Sequence, residues 1–276
     1  DPFIEAKNKN AKFIALSTDC ITLKEKLETV QYKNRNLSDS ERQASLEGFH
    51  RNPERCIFQP PMILINKGFN RFLFSEFFVF YQDSVTGISG PDKDKNLLIF
   101  LSVYAQSRLA SYFQYHTSGS WGIERPEVRL HELLKLPFPI PHKMGMNEKK
   151  AQQVVKKIAS KVKVFKKGLE KLYEEYEDTQ NGITLHGDTF DEARQTKSKE
   201  LTQELEPLVY EYFGLTKEEI ALVEDTCEIY EKSATPNRYD KSIKTLQETT
   251  ENDRFQYSKW LCDTLNNWIQ EAWQPD

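Results

Sequence analysis

Two short tracts carry the side chains best suited to contact a polyanion and to read what it displays. Lys67, Asn70 and Arg71 stand on one predicted turn; Ser118, Ser120, Trp121 and Arg125 lie in a small, polar, glycine-containing tract, with Arg129 just beyond it. Arg and Lys donate to phosphate oxygens and guanine edges, Asn pairs with adenine, and small residues let a backbone approach phosphate closely. Each tract also has a plainer reading. Residues 67–71 can be a solvated hairpin, Trp121 can anchor a core beneath a glycine turn, and Arg129 can pair with Glu132 one turn on. His50, Arg51 and Arg55 could extend the basic surface, although His50 reads more simply as an ordinary exposed residue.

No other cluster nominates itself for chemistry. Cys20, Cys56, Cys227 and Cys262 stand far apart, without the CxxC spacing of a zinc site or the density of a disulfide-stapled fold, and a reducing cytoplasm suits them. The acids and lysines of Pro91-Asp92-Lys93-Asp94-Lys95 fall in a predicted turn, where solvated charge is the usual case. The net charge of −4 argues against a generic nucleic-acid binder. It hides an asymmetry: residues 1–143 hold 19 Lys and Arg against 16 Asp and Glu, whereas residues 144–276 hold 19 against 26. Phosphate contacts are therefore expected in the first half.

The elements that must position these residues follow from periodicity. From Cys56 the sequence turns β-like, through Cys56-Ile57-Phe58, Met62–Ile65, Arg71–Phe74 and Phe77–Tyr81, with turns at 67–70 and at Val85-Thr86-Gly87. A small antiparallel sheet is expected, its core made by Phe72, Phe74, Phe78 and Phe80 at period two. After Gly90-Pro91-Asp92, apolar residues from Leu97 to Tyr112 recur at three-to-four spacing and predict one helix ending near Gln114. A short helix over 130–134 leads to Leu136-Pro137-Phe138-Pro139-Ile140-Pro141, whose alternate prolines dictate an extended connector.

Beyond it, Ala151, Val155, Ile158, Val162, Phe165, Leu169, Leu172 and Tyr176 alternate by four and three, an a/d seam over a helix at 147–177. Its flanks carry Lys156, Lys157, Lys161, Lys163, Lys166 and Lys167. These read first as the solvated flank of a coiled coil, and otherwise as phosphate contacts. Further helices are expected at 191–213, 216–233 and 251–273, the last with an apolar face through Trp260, Leu261, Leu265, Trp268 and Ile269. No stretch reaches the roughly 18 apolar residues of a membrane helix. A chain opening on Asp1-Pro2-Phe3, with no basic-then-apolar leader, suggests an excised fragment of a longer protein.

Several of these features, in this order, look like one family. Pro60-Pro61-Met62-Ile63-Leu64-Ile65-Asn66-Lys67-Gly68, the 97–113 helix, Thr117-Ser118-Gly119-Ser120, Arg125, Arg129 and the 136–141 prolyl tract resemble target-recognition domains. The family is that of N6-adenine DNA methyltransferases and type I restriction specificity subunits, including the recognition domains of type IIG enzymes. Leu208–Ile220 likewise resembles a signature near the C-terminus of single-chain restriction-modification enzymes. The resemblance covers about residues 57–225.

It implies an α+β recognition domain over 1–143, with a small mixed or antiparallel sheet, and a helical domain over 144–276 with a coiled-coil-like helix and a bundle. It implies sequence-specific reading of double-stranded DNA, with Lys67, Asn70, Arg71, Ser118, Ser120, Trp121, Arg125 and Arg129 facing the duplex. The parent protein would use S-adenosylmethionine in a methyltransferase domain of the same chain or another subunit. This sequence lacks the Asn-Pro-Pro-Tyr or Asp-Pro-Pro-Tyr tetrapeptide that holds a flipped adenine, and a glycine-rich cofactor loop, so no catalysis is expected of it. The competing expectation is a protein-interaction scaffold acting through the heptad helix.

Overall fold

A computed structural model describes residues 2–4, 11–22, 55–66, 71–81, 84–119, 130–143, 147–177, 189–231 and 249–272. The fold is α+β. Strands β1 (Pro2–Ile4), β2 (Phe13–Ile14) and β3 (Cys20–Thr22) come from the N-terminal region, ahead of β4 (Met62–Asn66), β5 (Phe72–Ser75), β6 (Phe80–Tyr81) and β7 (Val85–Ser89). They make two sheets. One is ordered β3-β1-β6 and the other β2-β5-β4-β7. In the larger sheet β4 runs antiparallel to β5 and β7, while β2 joins β5 in parallel, so the sheet is mixed.

The near-continuous apolar runs of β4 and β5 have a simple cause: both faces of this sheet are covered. Ile63, Ile65, Phe72 and Phe74 point into the helical core, while Met62, Leu64 and Leu73 pack with Ile4, Val79 and Val85 on the other side. The four phenylalanines expected on one face are therefore divided. Phe80 sits in a third cluster with Phe3 and Phe58, and Phe78 packs against it. Cys56–Phe58 is not a strand; it falls within a 3-10 turn over Arg55–Phe58. Val85-Thr86-Gly87, expected as a turn, opens β7. Gly87 is required there because the Tyr81 ring crosses it: a Cβ would lie 2.2 Å from the Tyr81 hydroxyl.

The expected helix over 97–114 is two helices, α1 (Lys95–Tyr104) and α2 (Arg108–Thr117). Ser107 breaks them, its hydroxyl accepting the Ala110 N–H at 3.3 Å as the N-cap of α2. After α3 (Leu130–Leu133), residues 137–140 of the prolyl tract lie in neither helix nor strand, and Pro141, expected in the extended connector, opens a 3-10 turn over Pro141–Lys143 ahead of α4 (Glu148–Glu177). The remaining helices are α5 (Phe190–Phe213), α6 (Lys217–Asp225), followed by a π turn over Thr226–Tyr230, and α7 (Glu251–Ala272). Capping boxes at Thr189/Glu192 and Thr216/Glu219 start α5 and α6, and Gly214, with φ of 68°, ends α5. On α7 the anticipated apolar residues Trp260, Leu261, Leu265, Trp268 and Ile269 are exposed.

All eight seam residues of α4 are buried or half-buried, against α5 on one side and α1 and β2 on the other. The seam is thus consumed within the chain. One hydrophobic core runs from Phe13 and Phe74 through Phe100 and Ile158 to Val209, crossing the expected boundary at 143/144.

Candidate nucleic-acid interface

The larger sheet and α2 fix where the two sequence tracts begin and end. Lys67 and Asn70 lie outside the described residues; on either side of them the Asn66 N–H donates to the Arg71 carbonyl at 3.3 Å. Ser118 caps α2, its N–H donating to the Gln114 carbonyl at 2.8 Å, and its hydroxyl is buried. The next N–H, of Gly119, donates to Glu132 Oε1 at 3.3 Å, which ties the start of the second tract to α3. Ser120, Trp121, Arg125 and Arg129 lie outside the described residues, as do His50 and Arg51.

Arg71 corrects the sequence expectation. It is 5% exposed, turned inward rather than along a rim. Burial lowers the proton affinity of its guanidinium; Asp19 opposes that shift and Arg194 adds to it. Asp19 is the centre of this arrangement. Its carboxylate accepts two hydrogen bonds from Arg194, at 2.5 and 3.0 Å, and one from the Leu16 N–H at 2.8 Å. Arg194 also donates to the Ile14 carbonyl at 3.3 Å, so α5 is clamped to the N-terminal strands. A buried cation needs a partner to offset its desolvation, and Asp19 supplies it. These partners are 175 residues apart, and no local pattern announces them.

Two further polar clusters hold the helices in place. Glu76, between β5 and β6, accepts from Lys95 and Lys166, both at 2.6 Å. Burial alone would raise its carboxyl, but the two ammonium donors hold it below the usual range. At the start of α2, the Arg108 N–H donates to Glu206 Oε1 at 3.0 Å, and its guanidinium bonds Glu228 at 2.6 Å. Burial pushes the Glu206 carboxyl up to about 7. One turn before Ser118, the Gln114 amide is wholly buried, and among the described residues neither of its polar atoms has a hydrogen-bond partner.

Burial also pushes the Cys20 and Cys227 thiols up to about 12, so neither is a thiolate near neutrality. Among the described residues, no group of three or more His, Cys, Asp or Glu is placed to hold a metal ion, and no helix is long and apolar enough to cross a membrane. What the surface does offer is lysine. Lys149, Lys156, Lys157, Lys163, Lys167 and Lys171 are exposed on α4. Comparison of the chain with protein-family models, with curated proteins and with solved structures gives no match.

Proposed function

We propose that this chain is a sequence-specific double-stranded DNA recognition module of a restriction-modification N6-adenine methyltransferase. It would position a separate catalytic domain, which binds S-adenosylmethionine, over one adenine. The observation that supports this reading most is how the prolyl tract is held. Phe138 stacks on Phe100 and Tyr104, with ring centroids at 5.9 and 6.1 Å, and the Tyr212 hydroxyl donates to the Pro139 carbonyl. The sheet, helix pair, prolyl tract and long helix, whose order carries the resemblance, thereby share one apolar core. Continuous packing of this kind suits a module that must place a catalytic domain over one base, because the register set where the duplex is read has to reach the partner. Reading itself falls to the 67–70 and 118–129 tracts, without Arg71.

Titration of the chain into a library of labelled duplexes, followed by anisotropy, tests this. The expected outcome is a preference for one duplex family of at least tenfold, with affinity falling steeply as salt rises. Equal affinity for every duplex would sink the proposal. The competing scaffold reading relies on the α4 seam to recruit a partner, and that seam already packs on α1, α5 and β2.

A further inference from the structure

Residues 147–171 hold nine lysines against two glutamates, in a half of the chain that is otherwise acidic. The fold sorts these lysines into two sets. Lys150, Lys161 and Lys166 face neighbouring elements and are paired, with Glu211 at 3.6 Å, Glu204 at 2.5 Å and Glu76 at 2.6 Å. Lys149, Lys156, Lys157, Lys163, Lys167 and Lys171 fall within an arc of about 120° at 3.6 residues per turn, flanked by Lys150 and Lys161 on one edge and by Lys166 on the other. Among the described residues no carboxylate pairs with any of them; Lys163 bonds only the neutral Asn96 amide, at 2.9 Å.

A face that is merely solvated has no reason to exclude acids, and helices ordinarily gain from Glu–Lys pairs three or four residues apart. Here Lys163, Lys167 and Lys171 repeat at i,i+4, where like charges repel, and Lys149 sits in the first turn, where the helix dipole disfavours a cation. The row stops at Glu174 and Glu175. From Lys149 to Lys171 it runs about 33 Å, close to one turn of B-form DNA at about 34 Å. Packed on its other side by α1, α5 and β2, α4 presents the row as a fixed ruler.

We infer that the lysine row of α4 is a binding surface for the phosphate backbone of duplex DNA, supplying sequence-independent affinity. This rests on the DNA-recognition reading and relocates its phosphate contacts from the first half of the sequence to the long helix.

Anisotropy with labelled duplexes of mixed sequence over a salt series tests it. The variants are one with Lys149, Lys156, Lys157, Lys167 and Lys171 all changed to Gln, and a control with Lys150→Gln and Lys161→Gln. Each phosphate contact contributes about 0.9 to the slope of log affinity against log salt. The five-residue variant should lose about 4.5 from that slope, and the control less than about 1. An unchanged slope in a variant with wild-type helicity overturns the proposal. If the combined variant does not fold, Lys156→Gln and Lys167→Gln singly should each lose about 0.9, and no loss in either overturns it equally. Binding to heparin or to phosphatidylserine vesicles but not to duplex would also overturn it. A sequence preference that survives with the slope unchanged removes the row and keeps the recognition reading. A slope lost in the variant, with no sequence preference in the wild type, does the reverse.

Discussion

At the scale of single residues, buried charge governs what changes here will do. Asp19→Asn would leave Arg194 in the interior without its carboxylate and Arg71 without the neighbouring anion that offsets its burial. The expected cost is about 3–5 kcal/mol, read from urea denaturation, and adding Arg194→Met should recover part of it. A loss under about 1 kcal/mol in the single variant would show that water already reaches the pair. Glu206 is half-buried as a residue, but its carboxylate is shielded, facing Arg108 of α2, Glu224 of α6 and the Tyr210 hydroxyl of its own helix. Its carboxyl stands at about 7 in the fold, above an ordinary 4.5. Between those values the folded chain keeps a proton that the unfolded chain has released. The contribution is therefore full below the ordinary value and is lost as pH rises through about 7. Glu206→Gln keeps an acceptor for the Arg108 N–H and removes the titration. Its stability relative to wild type should rise by about 2 kcal/mol between pH 5 and 8, less than the full linkage because the residue is partly exposed. A constant difference across that range would discard the assignment. Arg71 on a predicted turn reads as a DNA contact because the groups beside it in the fold, Asp19 and Arg194, are distant in sequence.

Elements were more legible, and where they were misread a single side chain explains why. The α4 helix followed from its seam because eight apolar residues at heptad spacing leave few alternatives. The break between α1 and α2 was missed since neither Gly nor Pro marks it, although Ser107 three residues before Ala110 is a capping signal. Gly87 reads in the sequence as a turn residue, but what it answers is the Tyr81 ring lying over β7. Two glycines should accordingly respond in opposite directions to alanine. In Gly87→Ala the added Cβ meets the Tyr81 hydroxyl and ring, and destabilisation of about 1–3 kcal/mol is expected. In Gly168→Ala, inside α4, a Cβ meets nothing within 4 Å, so the helix should gain about 0.5–1 kcal/mol. Thermal melts of the two variants decide this, and shifts of the same sign would contradict it.

For the whole molecule, the sequence divides where the fold does not. The prolines at 137, 139 and 141 separate the short helix before them from the long helix after them, so the sequence divides there. Sequence periodicity cannot reveal that the helix beyond them returns its seam to the strands ahead of them, nor that residues 2–22 supply three strands. Ile158 tests the consequence. It is wholly buried at the middle of the α4 seam, in the same core as Ile63 and Phe74 of the sheet and Leu205 and Val209 of α5. An aspartate there would place an uncompensated carboxylate among apolar groups from both halves, a change of the class that costs more than about 4 kcal/mol. If the halves were separate domains, the sheet would survive and unfolding would split into two transitions. With one shared core, Ile158→Asp should lower the protection of β4 and α5 amides together, by equal free energies in hydrogen exchange, and leave a single transition in urea. Retention of wild-type protection by Ile63–Ile65 while α5 exchanges freely would falsify the shared core.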